Sequence, residues 1–141
     1  MWRSIILNTA GPATVQRSFR MTIGLDEEYG RDKIHLVQEV EKIIGEWLVM
    51  QKETGRPYLP GEIRASRILY ARGKKCRTKA VVIYEGNANV LDGEMVLESN
   101  LVTAFRELAE IFMEKLMQFR IYLTYMDKCY VFQNVKKPAD Q

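Results

Sequence analysis

The sequence has 141 residues, of which 47% are hydrophobic and 28% are charged. These values are ordinary for a globular domain and exclude an intrinsically disordered, collagen-like or disulfide-scaffold protein. The formal net charge of +3 is too small to identify a partner. Two cysteines, Cys76 and Cys129, predict free thiols in a reducing compartment. No apolar run approaches the roughly 18 residues of a membrane-spanning helix, so we expect a cytoplasmic protein.

The N-terminal part of the chain predicts two strands. Residues 4–8 form a short apolar run, which a Gly-Pro pair in residues 11–14 interrupts. Apolar and polar residues then alternate through residues 16–25, which is typical of a strand with one buried face. The two segments could pair as a hairpin, so an extra N-terminal strand belongs to the expectation.

A first helix is predicted from Asp32 to about residue 51. Its apolar residues recur at helical spacing and form a broad stripe that would face a core. Asp32 can cap the start, and Gly55 followed by Pro57 ends the helix. His35, the one histidine of the sequence, falls among polar residues at this spacing. We therefore expect His35 on the surface.

Two further strands are predicted at residues 62–71 and 78–85, joined by a link that contains glycine. The second of these strands is apolar on both alternating sets of positions, which suits a central strand covered on both faces. Residues 86–89 predict a turn. Asp92 and Gly93 predict a second, short hairpin.

The C-terminal third predicts a helix and a β-rich segment. Large apolar residues keep helical spacing from about residue 99 to residue 119. Residues 120–132 alternate like a strand, but Asp127 and Lys128 interrupt the pattern. This interruption is a bulge within one strand or a turn between two strands, and the sequence leaves both open.

The order of elements is β-α-β-β-α-β, which is typical of a ferredoxin-like α+β sandwich. In this arrangement an antiparallel sheet carries both helices on one face. The optional N-terminal strand and the short hairpin would be additions to it. We expect a single α+β domain over residues 1–135 and a polar C-terminal tail over residues 136–141.

A basic hairpin is the most prominent charge feature. Seven of the 21 basic residues lie within residues 64–79, which hold no acidic residue, so the other 14 are outnumbered by 18 acidic residues. Such a run can bind nucleic-acid phosphates or can keep a strand edge soluble. The nucleic-acid hypothesis rests on six basic residues and one stacking ring: Arg64, Arg67, Tyr70, Arg72, Lys74, Lys75 and Arg77.

Two further predictions concern an oligomer and a ligand. Ile111 and Met117 fall off the main apolar stripe of the second helix, and a helix that is apolar on two sides is covered on two sides. A homodimer would supply the second cover. Arg56 and Tyr58 in a proline-rich loop could bind a small molecule together with Asn87 in the predicted turn.

The leading hypothesis is a small α+β binding or interaction domain that acts as a homo-oligomer on an unknown ligand. Nucleic-acid binding through the basic hairpin is the first alternative. An enzyme without metal, with a pocket between the sheet and the loops, is the second. The sequence lacks nucleotide-binding glycine motifs, and one histidine with two distant cysteines makes a poor metal site. We therefore expect no cofactor and no metal.

Overall fold

The computed structural model describes residues 15–27, 33–90 and 98–134. These residues form five strands and two helices. In chain order the elements are β1 (Val15–Gly24), α1 (Val37–Thr54), β2 (Glu62–Arg72), β3 (Lys75–Val90), α2 (Glu98–Lys115), β4 (Arg120–Tyr125) and β5 (Lys128–Gln133).

The five strands form one antiparallel sheet in the order β2-β3-β1-β4-β5. The predicted α+β fold with an antiparallel sheet and two helices is confirmed, and β5 extends one edge. The central strand β1 alternates as its sequence predicts. Phe19, Met21 and Ile23 are buried, whereas Arg20 between them is exposed.

The core lies between one face of the sheet and the two helices. Met21 stands opposite Tyr84 of β3 and opposite Leu123 of β4, so the three side chains share that face. Phe105 of α2 packs on it, with its ring 4.8 Å from the ring of Phe19. Both helices contribute to this one cluster of buried side chains.

The start of α1 differs from the prediction, whereas its end agrees. The helix begins at Val37, and the Glu39 carboxylate accepts the backbone N–H of Leu36 at 2.7 Å. This bond satisfies a donor at the helix start. Asp32, the predicted cap, lies outside the described residues. Gly55 caps the C-terminal end with a φ of 70°, a conformation that glycine adopts without strain.

The surface position predicted for His35 is wrong. His35 precedes α1. Its neighbour at helical spacing, Glu39, does contact it, but Glu27 from the segment after β1 contacts the other ring nitrogen. The side chain of His35 is buried, with Nε2 2.8 Å from Glu27 Oε2 and Nδ1 3.0 Å from Glu39 Oε1. The histidine therefore ties the segment after β1 to the first turn of α1.

The second helix ends at Lys115, four residues before the predicted end. Met117 lies beyond it with a φ of 53°, so it is not part of a second stripe on this helix. Ile111 is partly buried and packs against the core. These positions remove the two-sided helix from which we predicted the homodimer, which stays a prediction.

The structure changes two of the predicted turns and decides a third that the sequence left open. Residues 86–89 are not a turn but pair with β1 as part of β3. The β2–β3 connection is tighter than predicted, because Arg72 pairs directly with Lys75. The interruption at residue 127 is a turn between β4 and β5, with a positive φ at Met126.

Several predicted features fall outside the described residues. They are the strand at residues 4–8, the short hairpin around Asp92 and Gly93, and the tail at residues 136–141. Among the described residues, no helix is long and apolar enough to cross a membrane.

Candidate functional site

The sheet face opposite the helices carries a row of polar side chains across four strands. Antiparallel register places Glu62 beside Glu85, Glu85 beside Arg20, and Arg20 beside Thr124. We call these four residues the polar row. The alternation of β1 that buries Phe19 toward the helices turns Arg20 to this open face.

One carboxylate in the polar row binds two guanidinium groups. Arg20 Nε donates to Glu85 Oε1 at 2.9 Å, and Arg64 donates through Nε and Nη2 to Glu85 Oε2 at 3.1 Å. The hydrogen bond from Arg20, followed by that from Arg64, holds the pKa of Glu85 below its usual value. Glu85 therefore stays ionised and fixes both arginines on the open face.

A cavity of about 760 Å³ opens at one end of this face. The volume lies within the range of roughly 300–1,000 Å³ that is usual for small-molecule sites. The polar row lines the cavity together with Ser18, Phe19, Pro60, Gly61 and Gly86.

Two glycines allow the loop before β2 to pass close to β3 at this cavity. A Cβ on Gly61 would lie 2.5 Å from the carbonyl oxygen of Glu85, and one on Gly86 would lie 2.7 Å from that of Pro60. Any larger residue at either position would force the two backbones apart. The glycines therefore place this loop beside Glu85 and bring Glu62, the first residue of β2, into the polar row.

The cavity offers both signs of charge to a ligand. Among the described residues, Glu62 makes no hydrogen bond or ion pair, and Arg20 engages a partner only through Nε. A carboxylate and the Nη groups of a guanidinium are therefore available along one wall. Such a pair suits a small molecule that carries both a cation and an anion.

Of the ligand residues predicted from sequence, Arg56 and Tyr58 do not line this cavity. Arg56 lines a separate, smaller cavity of about 180 Å³ beside α2. Tyr58 is partly buried and packs against the core. Asn87 lies in β3, where its backbone pairs with Ser18 of β1.

The predicted nucleic-acid residues lie on the β2–β3 hairpin and are all exposed. The register refines their placement. Tyr70 stands opposite Arg77, and Arg72 stands opposite Lys75, on the open face of the sheet. Arg67 points to the other face. Arg64 belongs to the polar row's ion pairs rather than to the tip of the hairpin.

Acid should remove a stabilising contribution of Glu85. Its folded-state pKa lies below the ordinary value of 4.5, so the contribution is complete above that value and is lost as the pH falls through the folded-state pKa. We expect the unfolding free energy of Glu85→Gln, measured with urea, to fall less than that of wild type between about pH 6 and pH 3. Glu110→Gln, on the exposed surface of α2, is the control. Equal slopes for the wild type and Glu85→Gln would contradict the prediction.

Comparison with known proteins finds a likeness in structure only. No protein-family model and no curated protein matches the sequence. A phage SAM lyase in complex with S-methyl-5'-thioadenosine superposes with a TM-score of 0.58 at 16% identity, over 88% of this chain and 92% of that one. A phage SAM lyase in its apo state gives a TM-score of 0.57 at 15% identity, over 84% and 90%. At these identities the likeness establishes that the chain shares the α+β fold of these enzymes.

Proposed function

We propose that this chain binds S-adenosylmethionine in the open-face cavity and cleaves it to S-methyl-5'-thioadenosine. The observation that carries the proposal is the available Glu62 carboxylate in the same polar row as Arg20, with Glu85 between them, at a cavity of about 760 Å³. The shared fold supports the choice of ligand, because the likeness to the phage SAM lyases extends over most of both chains.

The charges of the cavity complement those of S-adenosylmethionine. The substrate carries a sulfonium and an ammonium group, both of which the Glu62 carboxylate can attract. It also carries a carboxylate, which the free Nη groups of Arg20 can bind as a charge-assisted pair. Glu85 is a positioning residue, since it holds Arg20 in place through a 2.9 Å ion pair.

Cleavage breaks the bond between the sulfonium sulfur and Cγ of the amino-acid side chain. The bonding electron pair stays on sulfur, which leaves as the neutral thioether of S-methyl-5'-thioadenosine. An oxygen of the substrate's own carboxylate bonds to Cγ and closes a lactone, so no water or proton is consumed. The protein contributes orientation, since Arg20 and Glu62 would hold the two ends of the reacting chain in one geometry.

The proposal is tested by incubating the purified protein with S-adenosylmethionine and separating the products by liquid chromatography and mass spectrometry. We expect S-methyl-5'-thioadenosine and the lactone in equal amounts. Glu62→Gln should lower kcat/KM by about 10–100-fold, mostly through KM, because it removes a charge that binds the substrate. Glu41→Gln, on the exposed face of α1, should change neither constant.

Two results would count against the proposal. Binding of S-adenosylmethionine by calorimetry without any product would overturn the cleavage step and leave a binding protein. Absence of both binding and product would overturn the function as a whole. A loss of activity in Glu41→Gln equal to that in Glu62→Gln would show that the cavity is not the site.

A further inference from the structure

We propose that the outer part of the β2–β3 hairpin, residues 66–80, is an arm that binds the phosphate backbone of a nucleic-acid duplex. The proposal concerns a surface outside the cavity and does not depend on the proposed reaction. We call this segment the basic arm.

The basic arm continues beyond the body of the sheet. Strand β1 pairs with β3 only from Val81 to Val90, whereas β2 and β3 pair with each other as far as Arg72 and Lys75. All residues from 67 to 78 are exposed, so neither face of the ribbon is covered by the core. A two-stranded ribbon alone is at best marginally stable. We therefore infer that a binding partner contacts and stabilises the ribbon.

The open face of the basic arm concentrates positive charge. Cross-strand pairing sets Arg72 beside Lys75 and Arg77 beside Tyr70 on that face, and Lys74 lies in the turn. The other face carries Arg67 among small and apolar residues. The sequence contains no acidic residue between Glu62 and Glu85 that could neutralise the arm.

A nucleic-acid duplex fits both the charge and the shape of this ribbon. Each phosphate that a lysine or arginine neutralises releases counterions, which favours binding at low salt. A two-stranded ribbon fits the major groove of B-form DNA, which is about 12 Å wide, so the duplex is a DNA duplex. The exposed side chains of Ile68 and Tyr70 lie on the same face as the charges. They can contact sugars and base edges.

The test uses fluorescence anisotropy of a labelled DNA duplex of about 20 base pairs at about 50 and 200 mM salt. We expect the wild type to bind at low salt and to weaken steeply at higher salt. The triple variant Arg72→Glu, Lys75→Glu, Arg77→Glu should bind at least about tenfold more weakly. Its slope of log affinity against log salt should be smaller by about 2–3, since three phosphate contacts are lost.

A matched variant controls for net charge. Lys42→Glu, Lys52→Glu, Lys115→Glu makes the same charge change on exposed positions of the two helices, and it should retain most of the affinity. Circular dichroism and thermal unfolding should show that both triple variants fold. The three reversed arm residues lie outside the cavity, so their effect is separable from any effect on S-adenosylmethionine.

Four results would overturn the arm proposal. They are no duplex binding by the wild type at low salt, unchanged affinity in the folded arm variant, an equal loss in the helix variant, and tighter binding of a single strand than of the duplex. The first of these includes binding to anionic lipid vesicles in place of the duplex.

Discussion

Phe105→Ala should lower the free energy of unfolding by about 3–5 kcal/mol, because a large buried ring is replaced by a methyl group and the cavity relaxes only in part. Phe105 is fully buried where α2 meets both the sheet and α1. Its ring lies 4.8 Å from the ring of Phe19 and 5.7 Å from that of Trp47. The substitution therefore weakens packing between all three parts of the core at once.

Urea unfolding followed by tryptophan fluorescence and circular dichroism measures this loss. Tyr122→Ala is the control, since it also truncates a ring but at an exposed position on the open face. Its effect should stay within about 0.5–1 kcal/mol. A loss for Phe105→Ala no larger than that for Tyr122→Ala would mean that α2 does not pack on the sheet as described.

His35→Ala should lower the free energy of unfolding by about 2–4 kcal/mol, because it removes hydrogen bonds to two carboxylates, one of them buried. Glu27 and His35 are both nearly inaccessible to solvent, with side chains 5% and 2% exposed. The change also removes one of the two hydrogen bonds of Glu39, which keeps its bond to the backbone of Leu36.

The control for this variant is Gln38→Ala, an exposed neighbour in the first turn of α1, for which we expect a change within about 0.5 kcal/mol. His35→Gln should recover part of the loss, since an amide can still hydrogen-bond to one carboxylate. If His35→Ala and the wild type had equal free energies of unfolding in urea, the contacts of His35 with Glu27 and Glu39 would not stabilise the fold.

Local patterns in the sequence were sufficient to predict most of the fold. The alternation in β1 identifies its buried face, and Gly55 fixes the end of α1 because glycine readily adopts the left-handed cap. The prediction for His35 failed for a definite reason. It considered only neighbours at helical spacing. One of them, Glu39, does contact His35, but the second partner, Glu27, comes from the segment after β1.

The candidate site could not be found from local patterns alone. Arg20 is visible as an exposed position of β1, but its partner Glu85 and the carboxylate of Glu62 come from later strands. Only the antiparallel register brings these residues side by side, and a shift of one residue would turn each side chain to the opposite face. The glycine contact between residues 61 and 86 likewise depends on tertiary structure.

The position of β1 at the centre of the sheet has a consequence for synthesis on the ribosome. One neighbour of β1 is β4, and Phe19 of β1 pairs with Tyr125 of β4. The ribosome therefore synthesises the two strands of this pair at widely separated times. At a translation rate of about 5–20 residues per second, β4 is synthesised several seconds or more after β1. During this interval one edge of β1 lacks its native partner, whereas the adjacent β2–β3 hairpin can form early from local contacts. Completion of the sheet is thus a late event in the life of the nascent chain.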